Sequence, residues 1–191
     1  MKEAGCAEVA IGIEHGNENF RQTILNRNMG NDLLAETVEL VKRHGIKKIS
    51  GHVMIGLPFE NTGLFLDTVR LFRRLKISPI KFIYSPLPGT SLGTICREKG
   101  WLSQEAYYCD RIQAVIDYPT FSADEIQLCF DVFSILLRFP FLPLKLPGIP
   151  TNYLFRLYKF IFSFALFVEH RFFAADGPNH AAKAYLRAKP A

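Results

Sequence analysis

Ala7-Glu8-Val9-Ala10-Ile11-Gly12-Ile13-Glu14 is the stretch on which the fold turns. Side chains alternate across a strand, so Val9, Ile11 and Ile13 share one face while Ala10, Gly12 and Glu14 share the other. The branched face is built to pack under helices. A face of Ala, Gly and one carboxylate is too small to fill a core and suits a strand whose inner side borders a ligand.

The same strand-then-helix rhythm continues downstream. Gly16 ends the strand, and Asn17 caps a helix expected to reach about Arg27. A second helix is expected from Asn31, with Leu34, Val38 and Val41 at helical spacing and Gly45 as its C′ residue. Ser50–Ile55 reads as a strand, broken by Gly56-Leu57-Pro58. Thr62–Leu75 reads as a helix, with Phe65, Val69 and Phe72 on one stripe and Arg70, Arg73 and Arg74 mostly off it. Ile80–Ser85 is a third strand, closed by Pro86-Leu87-Pro88-Gly89-Thr90. Strands separated by helices of this length pair in parallel through right-handed crossovers. The fold class is α/β, and three strands are too few to close a barrel, so the chain is expected to be part of a larger one.

After Trp101 the character changes. Ser122-Ala123-Asp124-Glu125 is a capping box opening an apolar helix through Leu137. Pro140, Pro143, Pro147 and Pro150 interrupt regular structure, and an aromatic run follows from Tyr153 to Phe173. The sequence therefore divides into 1–105 (partial barrel), 106–175 (helical, aromatic-rich extension) and 176–191 (flexible tail). Between Lys159 and Glu169 the uncharged run falls far short of the ~20 residues that span a bilayer. Phe160–Val168 is left with two readings, packing against the barrel's open edge or lying at a membrane interface or on a partner.

Composition bounds the rest. The 191 residues are 49% hydrophobic and 21% charged, a globular composition. The net charge of +5 is spread along the chain without a Lys/Arg block, so no nucleic-acid partner is expected. No basic stretch leads into an apolar one over the first residues, and the chain is expected in the cytoplasm, with peripheral membrane contact left open. Cys6, Cys96, Cys109 and Cys129 match no zinc, redox or iron–sulfur spacing and read as free thiols.

Three strand-end motifs carry the chemistry: Gly12-Ile13-Glu14-His15-Gly16 with Arg27 beyond it, Met54-Ile55-Gly56-Leu57-Pro58-Phe59-Glu60, and Tyr84-Ser85-Pro86-Leu87-Pro88-Gly89-Thr90. Each follows a parallel strand, where α/β folds place ligands. In this order and spacing they resemble the second half of the radical S-adenosylmethionine (radical SAM) domain. The likeness is closest to the subgroup with a cobalamin-binding domain, and it covers about residues 5–105. That subgroup reads Gly-Ile-Glu-Ser-Gly, then Met-Ile-Gly-Leu-Pro-Gly-Glu, then Tyr-Pro-x-Pro-Gly-Thr.

The resemblance implies a partial (βα) barrel of radical SAM type with a helical C-terminal extension. It implies S-adenosylmethionine contacts at Glu14, Arg27, Ile55, Gly56, Pro86 and Thr90. Glu14 would meet the ribose or the ligand's ammonium, Arg27 the methionyl carboxylate, and Ile55 and Gly56 the adenine. Bland readings stand beside these: Glu14 as a solvated strand-end carboxylate, Arg27 as a surface arginine, Glu60 as a charge at the third helix's N-terminus, Tyr84 and Phe82 as core, and His15 and His52 as neutral rim residues.

His15 and Phe59 depart from the family's Ser and Gly, and Phe59 is expected to restrict the backbone to negative φ. The family's Cys-x-x-x-Cys-x-x-Cys loop is absent. No catalytic residue and no metal ligand is therefore assigned in this chain. A 4Fe-4S cluster would need ligands from missing or partner sequence, and cobalamin remains open only for a parent enzyme. The chain is expected to be a fragment or split product, with Met1 an internal start, inactive alone and partnered by the missing N-terminal half as a separate chain. The alternative is a non-catalytic remnant or interaction module that associates through its aromatic C-terminal region.

Overall fold

A computed structural model describes residues 2–102 and 112–173, with only the backbone of 163–173. The expected tail at 176–191, the first residues of the extension and Cys109 lie outside the described residues. In chain order the elements are β1 (Glu8–Glu14), α1 (Glu18–Thr23), α2 (Asn31–Arg43), β2 (Lys48–Ile55), α3 (Thr62–Leu75), β3 (Ser78–Ile83), α4 (Ser91–Glu98), α5 (Ala123–Arg138) and α6 (Thr151–Phe173). The strands form one parallel sheet in the order β1-β2-β3. No further strand pairs with either edge among the described residues, so the sheet is open and mixed with helices.

Register sorts the side chains. Gly12 lies opposite His52 and His52 opposite Ile80, while Met54 lies opposite Phe82. These residues, with Ala10, make one face, and they are exposed or half-buried. The other face carries Ile13, Val53 and Ile55 at 0% exposure and Ile49 and Ile83 nearly so. Helices cover that second face: the Phe72 ring of α3 lies against Gly51, and Lys81 of β3 sits under the Phe130 ring of α5 at 4.2 Å. The alternation in β1 thus separates a sealed face from an open one.

Local signals set most boundaries. Asn61 accepts from Leu64 N–H at 3.0 Å to open α3, and left-handed Lys76 ends it. The expected stripe of Phe65, Val69 and Phe72 is buried. The Ser122–Glu125 capping box forms in both directions and opens α5. Arg73 of α3 donates to the carbonyls of Leu136 and Leu142, satisfying the C-terminal end of α5. The third strand begins two residues earlier than its apolar run suggests, and its ladder continues as Tyr84 N–H donates to Ile55 O at 2.8 Å.

The helix expected to reach Arg27 instead stops at Thr23. Arg21 is the cause. Its guanidinium is fully buried and donates to His15 O, Met29 O and Asn31 Oδ1 at 2.6–2.7 Å. These acceptors lie on both sides of the helix, and the chain folds back through left-handed Asn26 to meet them. Glu18 then accepts from Asn31 N–H at 2.9 Å, serving the start of α2 where Gly30 has no side chain to do so.

The C-terminal helices also differ from expectation. It is α5, with Ile126, Phe130 and Phe133 buried, that packs on β3, β2 and α3. The last helix lies on α5, with Phe155 edge-on to Phe65 and Phe139 stacked near Phe162. Phe160 and Ile161 face outward. No helix of the described residues is long and apolar enough to cross a membrane.

Candidate functional site

Because the strands are parallel, their C-terminal ends and the loops at 14–18, 56–61 and 84–90 gather along one edge of the sheet. At β1 the register slips between Gly12 and Glu14, and Glu14 takes φ 68°, the left-handed region. For a non-glycine residue that conformation costs about 1–3 kcal/mol and is held only where surroundings enforce it. The bulge turns Glu14 back over the open face, where its Oε1 lies 3.2 Å from Arg27 Nη1.

Arg27 also donates to Gly12 O at 2.7 Å. A Cβ on Gly12 would stand 3.0 Å from Glu14 Oε1 and 3.2 Å from Arg27 Nη1, so the pair is seated on the glycine. The Glu14 side chain is 21% exposed and that of Arg27 44%. Two residues far apart in sequence therefore form one accessible carboxylate–guanidinium unit at the strand ends. Free donors on the guanidinium suit a ligand carboxylate, and the outer carboxylate oxygen suits a hydroxyl or ammonium.

At β2 the picture is different. Ile55 points into the helix-covered core, so residue 55 meets anything on the open face through its backbone; Met54 presents its side chain there instead. Gly56 has φ 82°, and a Cβ on it would meet Ile126 Cγ2 at 2.7 Å. Its N–H donates to Glu60 Oε2 at 2.7 Å, and its carbonyl accepts from Tyr118 Oη at 2.9 Å. The close approach that glycine permits is used here by α5 and Tyr118 of the same chain.

Glu60 is not a helix-end charge. It is 1% exposed and accepts from Gly56 N–H, from Leu57 N–H at 3.0 Å and from His15 Nε2 at 3.2 Å. Asn17 N–H donates to His15 Nδ1 at 3.0 Å, so that nitrogen carries no proton and Nε2–H faces the carboxylate. The fully buried imidazole thus ties the end of β1 to the turn after β2. Its departure from serine fills a structural role that no motif spacing reveals.

Phe59 corrects the expectation made for it: it holds φ 69°, the left-handed conformation a glycine would take. Its ring lies edge-on to Trp101 at 5.7 Å, and Trp101 is edge-on to Tyr118 at 5.1 Å. Ring contacts and the Glu60 anchor together hold a turn that Phe disfavours.

At β3, Pro86 is buried and starts the turn, while Thr90 caps α4, donating to Leu87 O at 2.8 Å and accepting from Gly93 N–H at 3.2 Å. Its hydroxyl is committed to the loop. The Tyr84 hydroxyl is buried without a well-formed hydrogen bond, although Thr90 is a polar neighbour, and burial raises its pKa.

Of the six expected residues, the structure brings Glu14 and Arg27 into contact, places Gly56, Pro86 and Thr90 in the turns after β2 and β3, and buries the Ile55 side chain in the core. Sequence reasoning missed Arg21, His15 and Glu60, which position those turns. A polar cleft of about 410 Å³ opens on the far side of the loop at 14–18, running from Gly16, Asn17 and Glu18 to Arg70 and Arg74. Its two arginines are paired within the chain, Arg70 with Asp67 and Arg74 with Asp32.

The described residues do not fit an iron–sulfur cluster. No group of three His, Cys, Asp or Glu side chains gathers among the described residues. Cys6, Cys96 and Cys129 are free thiols, the last two buried in the core.

No protein-family model matches the chain, and no curated protein does. Among solved structures it is similar to coproporphyrinogen III oxidase (HemN) from Escherichia coli, a radical SAM enzyme, at 17% identity and a TM-score of 0.50. The likeness covers 72% of this chain but 28% of that one, so the chain spans well under a third of that enzyme's length. At this identity the likeness speaks for fold alone: the parallel three-stranded α/β unit is similar in fold to part of a radical SAM enzyme.

Proposed function

We propose that this chain contributes the S-adenosylmethionine-binding end of a radical SAM-type fold. The observation that carries the reading is the Glu14–Arg27 pair seated on Gly12, accessible on the open face at the strand ends. Arg27 would take the ligand's carboxylate, Glu14 its ammonium or ribose hydroxyls, and Met54 and Phe82 would offer apolar surface to the adenine. Ile55, Gly56, Pro86 and Thr90 would shape the rim through backbone and turn.

In a radical SAM enzyme the 4Fe-4S cluster supplies the electron that cleaves the bound cofactor. Cluster ligands would have to come from another sequence, such as the missing half as a separate chain, so no radical step is derived from these residues. The cobalamin expectation rests on motif likeness alone and is not part of the proposal.

Calorimetric titration of the full chain with S-adenosylmethionine tests it. Saturable binding is expected, weakened about tenfold or more by Glu14→Ala and by Arg27→Ala, since charge-assisted hydrogen bonds contribute about 1.5–3 kcal/mol each. Absence of saturable binding, or binding indifferent to both variants, would overturn the reading.

A further inference from the structure

The last helix carries apolar side chains on more than one side, with Arg156 and Lys159 on the rest of its first turns. Leu154, Phe155 and Tyr158 are buried toward α5 and the loop before α6, where Tyr158 Oη donates to Pro143 O at 3.0 Å. Beside this packed face, Tyr153, Leu157 and Ile161 are 71%, 50% and 53% exposed. At about 100° per residue, spacings of four place these three on one stripe. The proline-rich loop leading into the helix adds Phe141 and Ile149, also exposed. A surface of this kind is ordinarily covered.

Charge points to what covers it. From Val132 to Val168 the sequence holds four Lys or Arg side chains and no carboxylate side chain, and of these Lys159 is paired with Asp131 of α5 at 2.6 Å. Exposed Arg156 stands one residue before Leu157 on the flank of the stripe, and exposed Lys145 stands in the loop. Large apolar and aromatic groups flanked by Arg156 and Lys145 match the boundary of an anionic bilayer, where apolar groups enter the acyl edge and cations meet phosphate headgroups. A protein partner would have to supply all the acidic complement itself.

We infer that the outward stripe of α6, with the loop at 141–149, is a binding surface for an anionic lipid bilayer, on which the helix lies without crossing. This is independent of the adenosyl-site reading.

Sedimentation of the full chain with vesicles of phosphatidylglycerol and phosphatidylcholine tests it. Binding is expected to fall at least about tenfold with Leu157→Glu/Ile161→Glu, and to weaken with pure phosphatidylcholine or with Arg156→Glu. Circular dichroism and the melting temperature should stay unchanged, because these side chains face outward. No binding to phosphatidylglycerol vesicles, or binding equal in the variant, overturns the proposal. Self-association lost in Leu157→Glu/Ile161→Glu without vesicle binding overturns it in favour of a protein interface.

Discussion

Replacing Glu60 probes how the strand-end turns are held. In Glu60→Ala three donors lose their acceptor: the N–H groups of Gly56 and Leu57, at 2.7 and 3.0 Å, and His15 Nε2 at 3.2 Å. All belong to the buried interior, with Glu60 at 1% and His15 at 0% exposure. An orphaned buried donor costs about 1–3 kcal/mol, and partial relaxation or entry of water offsets part of the sum, giving a loss of about 4 kcal/mol. For a chain of this size that is a fall in melting temperature of about 10 °C. Glu60→Gln should cost about half as much. One amide oxygen can keep both backbone donors, but the amide NH₂ then faces His15 Nε2–H. The imidazole cannot switch tautomer, because Asn17 N–H already occupies Nδ1. Adding His15→Ala should therefore destabilise the Gln variant less than it destabilises the native chain. Urea unfolding of the four proteins measures this cycle. A change within about 0.5 kcal/mol for Glu60→Ala, the range of an ordinary surface substitution, would refute the reasoning.

Other consequences can be checked alongside. Gly56→Ala should destabilise by about 2–3 kcal/mol, because φ is 82° and the new methyl would meet Ile126 at 2.7 Å; an unchanged urea midpoint would contradict this. Arg21→Met should cost about 3 kcal/mol by stranding the carbonyls of His15 and Met29, and should raise amide exchange around Asn26 and Arg27, whereas unchanged exchange there would count against Arg21 as the organiser of that loop. Burial lowers Lys81 from 10.5 to about 8, with Asp131 opposing. Between those values the unfolded chain binds more protons, so this residue's contribution to stability rises with pH. Lys81→Met should accordingly be most favourable relative to the native chain below about pH 8 and lose that advantage as pH climbs; a pH-independent difference would refute the assignment.

The sheet was legible because β1 separates branched from small residues, and because Asn17 and Ser122 are caps whose side chains do bond the expected backbone groups. The parallel arrangement then brings the three motifs to one edge. What escaped depended on side chains reaching across the fold. Nothing in the spacing of Arg21 shows that its guanidinium gathers carbonyls from both sides of a short helix. Nothing in the spacing of His15 and Glu60 shows that they meet. Ile55 was assigned to the ligand side by motif, yet strand alternation in β2 puts Met54 there and Ile55 in the core. The left-handed Phe59 shows a residue-level propensity overridden by ring packing on Trp101.

The central claim is that the open face at the strand ends, centred on Glu14 and Arg27, receives an adenosyl ligand. Titrating the ¹⁵N-labelled full chain with S-adenosylmethionine and mapping amide shifts tests it most directly. Saturable shifts are expected at Gly12, Glu14, Arg27 and Met54, with Asn19, Arg70 and Arg74 of the polar cleft unmoved. Shifts confined to that cleft, or none at any ligand concentration, would contradict it.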